Sequence, residues 1–122
     1  MNNKYTGWLI LAVLLTLAVW MISYEPKSSQ PGQYDDFAKC LAEKKVTMYG
    51  ADWCAHCQNE KLAFGDSFKF VPYVECPKDI KSCLAKGIEG YPTWIFPDGR
   101  KLTGEQGLAK LSLESGCALI KN

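Results

Sequence analysis

The chain has 122 residues, room for one domain with an appendage but not for two full domains. Its 14 lysines and arginines stand against 13 aspartates and glutamates, and a net charge of +1 excludes an electrostatic case for nucleic-acid binding. Six cysteines in so short a chain argue for an oxidising compartment, because cytosolic thiols are kept reduced.

From Gly7 to Ile22 the one polar side chain is Thr16, with Tyr5 and Trp8 at one end and Trp20 and Tyr24 at the other. That is the pattern of a membrane span with aromatic belts. Residues 5–24 make about 30 Å of helix at ~1.5 Å per residue, enough to cross a bilayer core. A cleaved signal peptide needs small residues before the cut, where this chain has Trp20, Met21, Ile22 and Tyr24. An uncleaved anchor is therefore preferred to a signal peptide or a buried core helix. Lys4 and the terminal amine precede the span, while Glu25 and Lys27 nearly cancel after it. The positive-inside tendency then expects a cytoplasmic N-terminus and an exported remainder, facing a periplasm, cell surface or lumen. Residues 25–34, with Pro26, Ser28, Ser29, Pro31 and Gly32, read as a linker, and 35–122 as the globular domain.

Asp35 or Asp36 is an N-cap candidate for a helix that carries Phe37, Ala38, Cys40 and Leu41 at helical spacing as far as Lys44 or Lys45. Val46 to Gly50 is a short strand, and a helix from Cys54 to Phe64 stops at Gly65. Phe68 to Cys76 reads as a second strand, demoted to a sheet edge by Pro72. Asp79 to Lys86 is a short helix ended by Gly87. Thr93 to Phe96 and Arg100 to Thr103 form a hairpin about Pro97-Asp98-Gly99. Glu105 to Glu114 closes the chain as a helix with Leu108, Leu111 and Leu113 inward. This order predicts an α/β fold, a small mixed sheet of about four strands with helices on both faces and the strand at 46–50 in its centre.

Trp53-Cys54-Ala55-His56-Cys57 lies between that strand and its helix. Two thiols one helical turn apart can close a small disulfide, and a helix N-terminus favours a thiolate on the first. Together with Gly90-Tyr91-Pro92-Thr93 before the hairpin, the motif resembles the thioredoxin-like superfamily over residues 35 to 117. Met48-Tyr49-Gly50, Tyr73-Val74-Glu75-Cys76, Thr93-Trp94 and Ser115-Gly116-Cys117 resemble, more narrowly, the thioredoxin-like domain attached to bacterial homologues of vitamin K epoxide reductase. The resemblance implies a cis Tyr91–Pro92 peptide beside the active disulfide, with Tyr91 offering its backbone to an extended substrate. It also expects a buried acid where this chain has Met48, so Asp52 either substitutes or is a solvated turn residue.

Cys54 is the expected nucleophile and Cys57 the resolving thiol. His56, the only histidine, is placed to stabilise the Cys54 thiolate, and Trp53 to line the substrate surface. Cys76 and Cys83 are close enough in sequence for a local bridge, with Cys40 and Cys117 paired by elimination. A second redox-active pair at Cys76 and Cys83, other pairings and free thiols stay open. Four sulfurs from Cys54, Cys57, Cys76 and Cys83 can be drawn as a metal site, but the second pair lacks the tight knuckle spacing of structural zinc, so neither metal nor cofactor is expected.

The functional expectation is a membrane-anchored thiol–disulfide oxidoreductase. The narrow resemblance implies that it oxidises cysteines of exported proteins and passes the electrons to a membrane quinone reductase resembling vitamin K epoxide reductase. The alternatives are a disulfide reductase, serving cytochrome maturation or disulfide correction, and a non-catalytic metal-binding or adaptor module.

Overall fold

A computed structural model describes residues 4–23 and 32–122, in two units that divide after residue 30. In the first unit, α1 (Lys4–Ser23) has 20 residues, and every side chain described in it, from Tyr5 to Met21, is exposed. Apolar side chains occur on all its faces, and Thr16 turns its hydroxyl back onto the Val13 carbonyl. Among the described residues alone, no helix is long and apolar enough to cross a membrane. The anchor expected over 5–24 rests partly on side chains beyond Met21, outside those described.

The second unit is a four-stranded mixed sheet flanked by helices. Its strands are β1 (Thr47–Gly50), β2 (Tyr73–Glu75), β3 (Thr93–Ile95) and β4 (Lys101–Thr103), in the order β2-β1-β3-β4. β1 runs parallel to β2 and antiparallel to β3, with Tyr49 opposite Val74 and Met48 opposite Trp94. β1 is thus internal, and β2 takes the edge, where the Pro72 carbonyl accepts from the Met48 amide. The helices are α2 (Asp35–Glu43), α3 (Ala55–Phe64), α4 (Ile80–Ala85) and α5 (Leu108–Ser115).

The expected boundaries shift at several places, each for a local reason. Residues 25–31 of the expected linker lie outside the described residues, but 32–34 pack on the domain rather than leave it. Gly32 is buried, the Tyr34 amide donates to Ser67 Oγ at 2.9 Å, and the Asn122 amide reaches the Gln33 carbonyl at 2.9 Å. Tyr34, not Asp35 or Asp36, caps α2, and both acids sit in the first turn, where the helix dipole favours them. α2 ends at Glu43 and β1 starts at Thr47 because Lys45 turns the chain at a φ of 56°.

The strand expected over 68–76 shrinks to β2. Gly65, at a φ of 57°, sends the chain into a 3-10 helix over Gly65–Phe70, which sets the Phe68 ring edge-on to Phe64 and Tyr73. α5 begins at Leu108, not Glu105, and Leu113 is 84% exposed rather than inward. Two residues past the fully buried Leu111 is about 200° around a helix, so the pair cannot share one face.

The main core joins Phe37 and Leu41 of α2, Met48, Phe64, Trp94 and Leu111, with the Phe37 and Phe64 rings stacked at 5.7 Å. A smaller cluster on the other side holds Tyr49, Cys76 and Cys83. Two acidic residues are buried among the described ones, Asp35 at the start of α2 and Glu60. Glu60 of α3, 1% exposed, accepts from Trp94 Nε1 at 2.6 Å and from the Gly107 amide at 2.7 Å. Both oxygens are thus satisfied, as burial of such a group requires. Disulfides join Cys40 to Cys117, tying α2 to the segment after α5, and Cys76 to Cys83 of α4.

Candidate active site

The site is built where β1 runs out into α3. Cys54 has an extended backbone (φ −80°, ψ 117°) and caps α3, its sulfur accepting from the Cys57 amide at 3.2 Å. A sulfur there receives an otherwise unpaired N–H at the positive end of the helix dipole. Cys57 lies in the first turn and is fully buried. Room for its sulfur comes from Gly50, the last residue of β1. A Cβ there would stand 2.9 Å from Cys57 Sγ and 3.2 Å from the Tyr73 ring. With the four other cysteines in bridges, Cys54 and Cys57 are the free pair.

The two thiols differ in kind. Burial, and then the hydrogen bond with Cys54, push the Cys57 thiol from 9.0 up to about 12, so it holds its proton through the neutral range. In the unfolded chain the same thiol ionises at its ordinary value. The retained proton therefore stabilises the reduced fold fully below pH 9.0, and that contribution is lost as the pH rises towards about 12. Reduced protein titrated with urea is expected to lose stability across this window more steeply than Cys57→Ala. Parallel curves for the two would contradict the assignment.

A groove runs past Cys54, lined by Trp53, His56, Ile88, Glu89 and Tyr91. Trp53 is 75% exposed and meets the Tyr91 ring edge-on at 5.9 Å. The Tyr91–Pro92 peptide is cis and brings the loop before β3 to the groove wall. Trp53, Cys54, His56 and Tyr91 are thus gathered at one opening, with Pro92 buried beside them. Cys76 and Cys83 sit in the smaller cluster, against which Ile88 and Tyr91 pack, and Cys40 and Cys117 lie with the main core.

Acidic groups around the thiols fall differently from the sequence reading. Met48 is fully buried, and Asp52 is a solvated turn residue whose carboxylate faces Lys61 Nζ at 3.1 Å. That hydrogen bond to Lys61 holds the Asp52 carboxyl below its usual range. Asp52 takes part instead through its backbone, its amide donating to Glu75 Oε1 at 2.9 Å while the other Glu75 oxygen accepts from the Tyr73 hydroxyl. Burial, then that hydrogen bond, hold the Tyr73 hydroxyl protonated far into the alkaline range, and the Cys57 sulfur adds to the effect. The sequence reading missed Tyr73 and Glu75 in this setting, and also Glu60. The alternation of Tyr73 and Glu75 on one strand was visible, but not the strand's place beside Cys57.

His56 turns its Nδ1 to Glu105 Oε2 at 3.0 Å. The four-sulfur metal arrangement is not assembled, because Cys76 and Cys83 are bonded to each other. Among the described residues, no cluster of three or more histidine, cysteine or carboxylate side chains is placed to hold a metal ion.

No protein-family model matches the chain. Over 91 residues, 67% of the chain, it is 42% identical to Thiol-disulfide oxidoreductase LTO1 of Arabidopsis thaliana. The match covers 24% of that relative, so the chain spans about a quarter of the length of the curated protein it resembles.

Proposed function

We propose that this chain is a thiol–disulfide oxidoreductase, anchored in a membrane by the segment 5–24 and working outside the cytoplasm on cysteines of exported proteins. One observation carries the reading: Cys54 caps α3 at the open groove, while its partner Cys57 lies buried and protonated one turn along. The name of the Arabidopsis relative agrees with exchange chemistry. The two structural disulfides suit an oxidising compartment. The anchor is read from the sequence, where Thr16 is the one polar side chain between Gly7 and Ile22 and aromatic residues stand at both ends.

In the oxidising direction, a client thiolate attacks Cys54 Sγ of the Cys54–Cys57 disulfide in line. A client–Cys54 bond forms, the Cys54–Cys57 bond breaks, and Cys57 departs with the electron pair. Its high proton affinity then quenches the leaving thiolate, which disfavours return. A second client thiolate attacks the client sulfur and expels Cys54 as thiolate, so two electrons pass from client to enzyme. A membrane quinone reductase resembling vitamin K epoxide reductase takes those electrons and restores the disulfide.

Cys57→Ser removes the resolving thiol and tests the reading in cells. Mixed disulfides should accumulate on Cys54, containing exported proteins together with a membrane quinone reductase. A trap holding only cytochrome-maturation proteins would reverse the direction of electron flow. If no mixed disulfide forms and Cys54 fails to exchange with glutathione, the enzyme reading gives way to the adaptor.

A further inference from the structure

Glu105 belongs to the loop between β4 and α5, and that loop is fastened on both sides of it. The Gly104 amide donates to the Pro92 carbonyl at 2.8 Å, and the Gly107 amide to the buried Glu60 at 2.7 Å. The next residue, Gln106, folds its side-chain amide onto the Thr103 and Gly104 carbonyls, at 3.1 and 2.9 Å. The loop therefore presents Glu105 at a fixed place against α3. There Glu105 Oε2 accepts from two α3 side chains, His56 Nδ1 at 3.0 Å and Asn59 Nδ2 at 3.1 Å. The two donors are three residues apart on one helix face, so they grip the carboxylate together. Those hydrogen bonds, His56 first and Asn59 second, hold the Glu105 carboxyl below its usual range.

A carboxylate only accepts, so the ring nitrogen facing it must carry a proton. In the neutral ring that leaves the lone pair on Nε2. Among the described residues Glu105 is the one hydrogen-bond partner of the His56 side chain, and His56 is a residue of the same groove as Cys54. We propose that Glu105 is a positioning residue that fixes the tautomer of His56, leaving Nε2 as a proton acceptor at the groove beside Cys54.

The inference rests on the exchange activity proposed above. In the client half-reaction, the proton of the incoming thiol passes to His56 Nε2 and the thiolate so formed bonds to Cys54 Sγ. The Cys54–Cys57 bond breaks, and Cys57 keeps the electron pair and takes a proton from solvent. The imidazolium left behind, with both nitrogens protonated, keeps its hydrogen bond to Glu105 until it releases the proton to water.

The chain has a single histidine, so its ring can be read without ambiguity. In 15N spectra at about pH 8.5, where an ordinary imidazole is neutral, the native protein should show a protonated Nδ1 and a pyridine-like Nε2. Glu105→Ala should shift the pattern towards the Nε2–H tautomer. It should also slow client oxidation by about tenfold, a modest part of what a positioned base supplies. Glu105→Gln keeps an acceptor oxygen without the charge and should restore both readouts. Asn59→Ala loosens the carboxylate from its other donor and should fall between, which serves if Glu105→Ala folds poorly. An unchanged 15N pattern in both Glu105→Ala and Asn59→Ala would overturn the proposal, as would an unchanged rate in Glu105→Ala. Loss of all exchange in the native protein would instead sink the oxidoreductase reading and leave the tautomer result standing.

Discussion

Cys54→Ser should abolish turnover and leave Cys57 nearly inert to iodoacetamide, whereas Cys57→Ser should leave Cys54 fully reactive. The asymmetry can be sized from the thiol pushed up to about 12. Near pH 7 such a group holds about a thousandfold less thiolate than one at 9.0. The greater nucleophilicity of a more basic thiolate recovers about twentyfold of that. A deficit of about fiftyfold remains before burial is considered, and the sulfur belongs to a fully buried residue. Serine at 54 preserves the burial of Cys57, which is the larger cause of its shift, so the variant isolates the intended thiol. Equal alkylation rates in the two single variants, followed by mass spectrometry, would contradict the division of roles.

Loss of the Cys40–Cys117 bridge is expected to be the largest single blow to stability. The bridge closes a span of 77 residues, and the chain-entropy model assigns it about 4.5 kcal/mol, against about 2.4 kcal/mol for the 7-residue span between Cys76 and Cys83. A domain of this size has only about 5–15 kcal/mol in all. Paired alanines at 40 and 117 should therefore leave the fold close to its threshold, read as a large fall in the urea midpoint with the site chemistry unaltered in the folded fraction. A loss below about 1 kcal/mol would mean that the bridge restrains little of the unfolded chain. Paired alanines at 76 and 83 should cost less stability, but they act in the cluster against which Ile88 and Tyr91 pack.

The parts that were legible in the sequence are those governed by local rules. β1 shows as an apolar run closed by Gly50, and α3 as a helix-competent stretch closed by Gly65. The edge position of β2 follows from a proline that cannot donate to a ladder. The segment before β2 misled because Phe68 and Phe70 alternate as in a strand, although both belong to a 3-10 helix. Leu113 misled because its chemistry was read without its angle about α5. The polar partners of the site were hidden for a different reason. Glu60 lies 34 residues from Trp94, and His56 lies 49 from Glu105, so no local period connects them. In a stretch reading Gln58-Asn59-Glu60-Lys61, nothing marks one glutamate for the core until the indole that needs an acceptor is placed above it.

That glutamate has a mechanical side. Glu60 stands one turn beyond Cys57 on α3, with one oxygen on a strand and the other on the loop that presents Glu105. Helix, strand and loop are therefore riveted at a single point inside the protein. Cycling between dithiol and disulfide changes one bond at the rim of a frame whose members share that rivet. A frame joined in this way holds α3, β3 and the Glu105 loop at fixed distances while that bond changes.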